Sequence, residues 1–419
     1  MPEKVKYVII VGDGMADYPV ESLSGRTPLM VAGTPHMDWM ASQGEIGLVR
    51  TIPQGFTPGS EIANLSIFGY DPVRYYTGRG PLEAASLKVQ LAADDIAFRC
   101  NLVTLKFQGN KIFMEDFSAG HITSEEAKKV ILDIDKRMGT DEIRFYAGVS
   151  YRHLMVLKNG AAKFSNLAKL SVPPPHDLTG KEISFCLPQM EEPVLSLMKE
   201  SERLLKNHPV NRAREASGLP PANSIWLWGQ GRSPQMIPLK ERFGIDGYVI
   251  SAVHLIKGIG ILAGLEVMEV PGITGFIDTN YDGKAQYALE GLRKKDFVYV
   301  HVEAPDEASH MGNLRLKVEA IEAFDQKVVG TILEGMKEFK RYRVMVLPDH
   351  PTPLSVRTHT ADPVPFVIYS EEGGGAPGRA KAFDEVSAGQ SGIFIEKGFE
   401  LIERFLSTCS SCRGEGRMS

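Results

Sequence analysis

Short runs of β-branched and apolar residues recur toward both ends of the chain. They lie at residues 7–11, 247–251, 298–302, 344–348 and 365–369. Segments with helical spacing of apolar residues separate most of them. Unbroken apolar runs are typical of strands that are buried on both faces of a parallel sheet. The pattern therefore predicts an α/β core with a mostly parallel sheet flanked by helices.

The middle of the chain has a different pattern. Strand-like segments at residues 97–107, 111–117 and 144–157 surround a helical segment at 121–137, and a proline-rich stretch follows at 172–175. We predict an inserted α+β substrate or lid domain at residues 79–221, within a core formed by residues 1–78 and 222–419. The run SIWLW at 224–228 is assigned to the core sheet. Inserted domains of this kind are typical of enzymes that close over a substrate.

One loop followed by a helix presents a single hydroxyl group. In residues 54–72, Gly55, Pro58 and Gly59 break regular structure just before Ser60, and helical spacing begins after it. The start of a helix favours an anion, because backbone N–H groups there are free. Ser60 is therefore either an N-cap serine or a nucleophile that accepts a phosphoryl group.

Composition excludes several classes of partner. The 419 residues carry a formal net charge of −5, and the pI is near 6.1, so neither nucleic acid nor an anionic membrane is expected as the main partner. The apolar runs are all shorter than the ~20 residues that span a bilayer, and the N-terminus lacks a signal-peptide pattern. Four cysteines do not make a disulfide framework, and Cys409 with Cys412 forms at most half a zinc site. A cytoplasmic protein is expected, and a homo-oligomer is compatible with these features.

Acidic and histidine residues follow several predicted strands at metal-ligand spacing. Asp13 follows the first strand, Asp349 and His350 follow another, Asp306 and His310 share one face of a short helix, and His359 lies in a loop. Each alone is compatible with a turn or surface residue. Together, carboxylate, imidazole and hydroxyl groups suit two divalent cations such as Mn²⁺ or Zn²⁺.

Two such cations beside Ser60 would suit in-line phosphoryl transfer. Lys257, within residues 250–260, could supply positive charge to a phosphate or carboxylate group. A solvated helix lysine is an equally good interpretation of Lys257. The sequence shows no Gly-rich phosphate loop of the P-loop type.

Several motifs scattered over nearly the whole chain resemble those of one family. They are residues 12–15 (GDGM), 57–72, 76–84 (YTGRGPLEA), 306–310 (DEASH), 348–350 (PDH) and 359–365 (HTADPVP). They resemble the alkaline phosphatase superfamily and, within it, the cofactor-independent phosphoglycerate mutases of archaeal type. The resemblance covers both predicted domains and implies an alkaline-phosphatase-like core.

The resemblance implies a set of metal ligands and a reaction. One ion would be held by Asp13, Ser60, Asp349 and His350, and the other by Asp306, His310 and His359. Mn²⁺ is the preferred ion, with Zn²⁺, Co²⁺ or Mg²⁺ as alternatives, and no organic cofactor is implied. Ser60 would take the phosphoryl group of 3-phosphoglycerate and return it to the other hydroxyl of glycerate. The enzyme would then be an isomerase of glycolysis and gluconeogenesis that acts on a small phosphorylated carboxylic acid.

Further residues of the family pattern concern the substrate. Lys257 matches a lysine at the metal site, and Arg152 with His153 resembles a motif that contributes to the substrate pocket. Arginines of the archaeal pattern are replaced here by Trp228 and His121, and Arg232 could substitute for the first of them. Because a branch with the present pattern is associated with homoserine kinase activity, that kinase remains an alternative, as does a non-catalytic phosphate-binding or metal-binding relative.

Overall fold

The computed structural model describes residues 4–164, 167, 172–185, 187, 193–371 and 380–407. Cys409 and Cys412 lie outside these residues. Within the described ranges, the helices are all too short or too polar to cross a membrane. The chain divides into two compact units, of which one comprises Met1–Tyr76 with Met236–Ser419 and the other comprises Thr77–Gln235.

Thirteen strands are described. In chain order they are β1 Lys6–Gly12, β2 Glu45–Val49, β3 Ile96–Gln108, β4 Lys111–Asp116, β5 Ile143–Val149, β6 Arg152–Leu157, β7 Ser224–Gly231, β8 Gly247–Ile250, β9 Glu266–Val267, β10 Phe297–Val302, β11 Tyr342–Leu347, β12 Val364–Ser370 and β13 Phe394–Ile395.

The described α-helices connect and flank these strands. They are α1 Pro28–Val31, α2 Pro35–Gln43, α3 Ser60–Ile67, α4 Pro72–Tyr75, α5 Arg79–Ser86, α6 Ser124–Met138, α7 Gly160–Lys163, α8 Val194–Leu205, α9 Pro209–Ala216, α10 Leu239–Phe243, α11 His254–Leu262, α12 Tyr281–Lys294, α13 Ala304–His310, α14 Leu314–Ala323, α15 Gly330–Met336, α16 Glu385–Gln390 and α17 Leu401–Leu406. A π-helical segment, Phe324–Val329, joins α14 to α15.

The first unit contains an eight-stranded sheet in the order β13-β2-β12-β11-β1-β10-β8-β9. Strand β12 is antiparallel to both of its neighbours, and the other neighbouring pairs of this sheet are parallel. The predicted α/β core is therefore confirmed. Strand β1 lies between β10 and β11 and is buried from Val8 to Val11, as expected for an apolar strand covered by helices on both faces.

The second unit has its own five-stranded antiparallel sheet around the long strand β3. Strands β6 and β7 pair with the first part of β3, and β4 pairs with its last part. Helix α6 begins at Ser124 rather than at the predicted residue 121, because Thr123 and Glu126 form a reciprocal capping box at its N-terminus.

The second unit extends further along the chain than the sequence indicates. The run at 224–228 forms β7, which is antiparallel to β3 in the second unit and does not belong to the core sheet. The unit consequently ends at Gln235 rather than at 221 and begins at Thr77 rather than at 79. The prediction for this run was wrong because an apolar pattern identifies a buried strand without identifying the sheet that it joins.

Candidate metal centre and nucleophile

The carboxyl ends of three central strands bring the predicted ligands to one edge of the core sheet. Asp13 follows β1, Asp306 lies on α13 just after β10, and Asp349 with His350 follows β11. The parallel register pairs Gly12 with Val302 and Val11 with Leu347, so the three strands end side by side. In open α/β sheets, substrates and cofactors bind at such an edge.

The first group of side chains is Asp13, Asp349 and His350. Their donor atoms all lie within 4.8 Å of one another, and all three residues are buried. His350 Nε2 is 3.4 Å from Asp13 Oδ1 and 3.5 Å from Asp349 Oδ2. Backbone N–H groups of Gly14 and His350 donate to Asp349 Oδ1, at 3.2 and 2.9 Å, which fixes that carboxylate.

The second group is centred on Asp306. Donor atoms of Asp306, His350 and His359 again lie within 4.8 Å of one another. His310 Nε2 is 3.0 Å from Asp306 Oδ2 and 3.1 Å from His359 Nε2. Asp306 is buried, so the interpretation of this Asp/His pair as surface residues is wrong. His350 lies within reach of both groups, whereas the resemblance assigned it to the first.

Ser60 lies against the first group. Its Oγ is 3.1 Å from His350 Nε2, and it is the first residue of α3. The N-cap position of α3 is held by Gly59, so the alternative that Ser60 is an N-cap serine is wrong. The hydroxyl group is half-buried and stands at the N-terminal end of α3, where the helix dipole favours an anion.

The pKa values of the buried carboxylates are shifted in opposite directions in the two groups. Burial, reinforced by the charges of Asp349 and Asp306, raises the pKa of Asp13 well above its usual value. Burial would also raise the pKa of Asp306, but hydrogen bonds from His310 and His359 outweigh it and hold that pKa well below the usual range. For His310, burial is outweighed by the bond to Asp306 and by its charge, and the pKa rises to about 9.

The donor set fits a divalent cation. Asp13 Oδ1 and His301 Nε2 are buried and form no hydrogen bond among the residues described, although His301 Nε2 lies 3.3 Å from Asp13 Oδ2 and His350 Nε2 lies 3.4 Å from Asp13 Oδ1. Unpaired buried polar atoms are destabilising unless a partner compensates them. Three carboxylates and three imidazoles in two adjoining groups are the ligand types that Mn²⁺ and Zn²⁺ accept.

Sequence reasoning missed residues that form hydrogen bonds with the predicted metal ligands and with Ser60. Asn64 Nδ2 donates to Asp349 Oδ2 at 2.9 Å and to the Ser60 carbonyl at 2.8 Å, and Tyr299 donates to Asn64 Oδ1. A signal for Asn64 was present, because it is polar, lies four residues after Ser60 and falls in an apolar helix. Tyr299 belongs to a buried strand and carries no comparable signal.

Lys317 is a second missed residue. Its ammonium group is fully buried and donates to Asp17 Oδ2 at 2.7 Å, Thr352 O at 3.0 Å and Ala16 O at 3.3 Å. All three donors of a lysine are thus used. The contacts join the loop after β1, which carries Asp13, to the loop after β11.

Replacing Lys317 with methionine should destabilise the protein strongly. The change leaves the Asp17 carboxylate buried without its cation, and breaking a buried pair in this way lowers the free energy of unfolding by about 3–5 kcal/mol. Urea denaturation followed by circular dichroism in the presence of a chelator measures this. Arg315 lies on the same helix but forms an exposed pair with Glu319. Arg315→Met should therefore leave the midpoint of urea denaturation unchanged. An unchanged midpoint for Lys317→Met would contradict the importance of the buried pair.

Lys257 lies on α11, which packs against α3. Its Nζ is 3.0 Å from Glu269 Oε2, and only 13% of its side chain is exposed. Lys257 is thus mostly covered and is paired with an exposed glutamate, and its role at the phosphate stays a prediction.

Two of the predicted substrate residues of the second unit lie together. Arg152 and His121 are exposed and flank Tyr151, with the Arg152 guanidinium 5.1 Å and the His121 ring 6.3 Å from its ring centroid. Arg232 is also exposed and lies 3.8 Å from Asp94.

His153 has a different environment. It follows Arg152 on β6 and points to the opposite face of the strand, where its side chain is buried and Nδ1 accepts a hydrogen bond from Gly148 N at 3.0 Å. Burial lowers its pKa to about 3, so the ring is neutral. We therefore assign His153 to the interior of the second unit instead of to the substrate pocket.

Trp228 occupies the position where the archaeal pattern has an arginine. Two arginines from other positions of this chain lie over its indole ring. The guanidinium carbons of Arg99 and Arg79 are 4.4 and 5.5 Å from a Trp228 ring centroid. The indole N–H donates to Asn101 Oδ1 at 3.0 Å. The sequence singled out Arg232 for this place and missed Arg99 and Arg79.

A mostly parallel sheet with acidic and histidine side chains at its carboxyl edge, beside a serine that begins a helix, defines an α/β enzyme. Two solved structures share this fold over nearly their whole length. The PH0037 protein from Pyrococcus horikoshii matches with a TM-score of 0.79 and 30% identity, covering 96% of this chain and 97% of that one. The cofactor-independent phosphoglycerate mutase from Thermoplasma acidophilum matches with a TM-score of 0.64 and 27% identity, covering 96% and 99%.

Sequence comparisons identify the family. A family model described as 2,3-bisphosphoglycerate-independent phosphoglycerate mutase matches residues 41–211. The probable 2,3-bisphosphoglycerate-independent phosphoglycerate mutase of Geobacter sulfurreducens is 53% identical over 404 residues, covering 96% of this chain and 100% of that protein. That of Methanosarcina acetivorans is 50% identical over 401 residues, covering 95% and 98%. The chain belongs to the 2,3-bisphosphoglycerate-independent phosphoglycerate mutase family, and the predicted family is confirmed.

Proposed function

We propose that this enzyme interconverts 3-phosphoglycerate and 2-phosphoglycerate through a phosphoserine at Ser60, with two divalent metal ions. The observation that carries the proposal is the position of Ser60 Oγ, 3.1 Å from His350 Nε2 and at the N-terminus of α3. A hydroxyl group in this place meets both a set of buried candidate metal ligands and the positive end of a helix dipole. The family names of the relatives support the substrate class.

The two groups of side chains would hold the ions. Asp13, Ser60, Asp349 and His350 suit one ion, and Asp306, His310 and His359 suit the other; Mn²⁺ is the preferred ion. When bound, such ions neutralise phosphoryl oxygens and favour the ionised form of a serine hydroxyl. No organic cofactor is needed for this chemistry.

The residues of the chain would then act in two steps. In the first, Ser60 Oγ loses its proton and bonds to phosphorus as the bond to the 3-oxygen of the substrate breaks, and that oxygen takes up a proton. In the second, the 2-hydroxyl of the retained glycerate loses its proton and bonds to phosphorus as the bond to Ser60 Oγ breaks, and Ser60 Oγ takes up a proton, which regenerates the serine. Asn64 holds the Ser60 carbonyl throughout, and the N-terminus of α3 favours the negative charge of the transferred group.

Cationic residues would bind the rest of the substrate, a small phosphorylated carboxylic acid. We propose Lys257 for the phosphate, and Arg152 and His121, with Arg232, for the anionic groups of the glycerate. Arginine suits carboxylate and phosphate because its guanidinium group donates two parallel hydrogen bonds.

The homoserine kinase alternative needs a site for a nucleotide base. Trp226 and Trp228 have aromatic rings that could stack on a base, but both indoles are buried, and Trp226 donates to Pro173 O at 3.0 Å. Both tryptophans are thus part of the second unit's core, and the mutase is favoured.

The decisive experiment compares two reactions of the same purified, Mn²⁺-loaded protein. One tube contains 3-phosphoglycerate without 2,3-bisphosphoglycerate, and the other contains ATP and homoserine. We expect 2-phosphoglycerate in the first tube, measured by ³¹P NMR, and no phosphohomoserine in the second. Product only in the second tube would establish the kinase, and binding of 3-phosphoglycerate without turnover in either tube would establish a non-catalytic relative.

A further inference from the structure

The hydroxyl group of Thr352 lies between the two groups of ligands. Its Oγ1 is 2.5 Å from Asp306 Oδ1 and 3.2 Å from His350 Nδ1. Thr352 and His350 are fully buried, and Asp306 nearly so. Thr352 therefore contacts one ligand of each group, although it is neither acidic nor basic.

The single proton of this hydroxyl group determines the direction of both hydrogen bonds. A carboxylate oxygen can only accept, so Thr352 donates its proton to Asp306 Oδ1. The threonine oxygen then has only lone pairs to offer to His350 Nδ1, and this nitrogen must carry the hydrogen. A neutral imidazole with hydrogen on Nδ1 has a bare lone pair on Nε2.

The bare nitrogen is the one that faces the candidate metal site. His350 Nε2 lies 3.1 Å from Ser60 Oγ, 3.4 Å from Asp13 Oδ1 and 3.5 Å from Asp349 Oδ2. A histidine binds a metal ion through a nitrogen without hydrogen, while a hydrogen bond at its other nitrogen fixes the tautomer and the ring orientation.

The surroundings of Thr352 hold its hydroxyl group in place. Lys317 Nζ donates to the Thr352 carbonyl at 3.0 Å, and the Thr352 N–H donates to Ala16 O at 3.2 Å. At Gly14, where φ is +63°, a Cβ atom would lie 2.7 Å from Thr352 Oγ1 and 2.6 Å from Asp306 Oδ1. Only glycine leaves room for the contact between Thr352 and Asp306.

We propose that Thr352 is a positioning residue that selects the Nδ1–H tautomer of His350 and couples the two ligand groups through Asp306. This inference rests on the metal sites of the proposed function. It makes Thr352 a determinant of metal affinity without making it a ligand.

The test uses two variants of Thr352 in the full-length protein. Thr352→Val keeps the shape of the side chain and removes the hydroxyl group, and Thr352→Ser restores that group. We expect Thr352→Val to weaken Mn²⁺ binding, measured by titration calorimetry, by about 10- to 100-fold, as for other residues that orient metal ligands. Thr352→Ser should bind Mn²⁺ nearly as tightly as the parent.

A matched control separates this effect from the loss of any buried hydroxyl group. Thr104 is buried in the second unit and donates to Pro221 O at 2.7 Å. Thr104→Val should lower thermal stability as Thr352→Val does and leave the Mn²⁺ dissociation constants unchanged. Equal Mn²⁺ affinity in Thr352→Val and the parent would overturn the proposal.

A second measurement does not depend on bound metal. In the metal-free parent, ¹⁵N NMR of labelled histidines should show His350 with hydrogen on Nδ1, and Thr352→Val should shift it to Nε2. Hydrogen on Nε2 in the parent would refute the tautomer selection. If the parent binds no Mn²⁺, the proposed function fails, and the NMR measurement still decides the role of Thr352.

Discussion

Replacing Ser60 with alanine should abolish phosphoryl transfer, lowering kcat by roughly 10⁴-fold or more, as losing the nucleophile does in other covalent mechanisms. The remaining groups at the sheet edge can still bind an anion, so substrate binding should survive. The fold should survive as well, because Gly59 and not Ser60 is the N-cap residue of α3. Activity is measured from 3-phosphoglycerate to 2-phosphoglycerate, and folding by circular dichroism.

The same helix offers a control for this variant. Ser66 is fully buried on α3, outside both ligand groups. Ser66→Ala should leave turnover close to that of the parent. Mass spectrometry of the parent, quenched during turnover, should find phosphate on the peptide that contains Ser60 and none in Ser60→Ala. Retained turnover in Ser60→Ala would rule out a phosphoserine at this position.

Most of the site residues that could be predicted from the sequence follow the ends of predicted strands. Asp13, Asp306 and Asp349 each follow an apolar run, and parallel strands end at the same edge of a sheet, so their convergence follows from local sequence. Asp306 and His310 could be paired in advance because they are four residues apart on one helix. Ser60 was found from the glycines and proline that precede it and the helical spacing that follows.

The unpredicted part depends on contacts between distant residues. Lys317 meets Asp17 and Thr352, and Thr352 meets Asp306, across long stretches of chain with no shared local pattern. Likewise, the apolar run of β7 carries no information on which sheet it joins. His153 could have been placed correctly, since strand alternation puts it on the face opposite to Arg152.

The ligand assignments predict that single substitutions remove single metal ions. The parent should contain two Mn²⁺ ions per chain by elemental analysis, and a chelator should remove both together with the activity. Asp349→Ala deletes a carboxylate of the first group, and His310→Ala deletes an imidazole of the second. Each variant should retain about one ion, because most ligands of the other group stay in place, and each should lose most of its turnover, since in-line transfer needs both ions.

Histidines outside the groups provide the control. His36 contacts the buried carboxylate of Asp325 at 2.9 Å, much as His310 contacts Asp306, but it belongs to neither group. His36→Ala should therefore bind two ions and keep its turnover. Two ions bound with parental affinity in both Asp349→Ala and His310→Ala would contradict the assignment of the site.

Replacing His350 distinguishes two descriptions of the same site. If its imidazole serves only the first ion, as the family resemblance implies, His350→Ala should match Asp349→Ala and retain the second ion. The structure places His350 within reach of both groups, and Thr352 links its ring to Asp306. We therefore expect His350→Ala to lose the first ion and also to weaken the second, whereas Asp349→Ala leaves the affinity for the second unchanged. Calorimetric titration of the two variants with Mn²⁺ measures the difference, and identical titrations would show that the groups bind their ions independently.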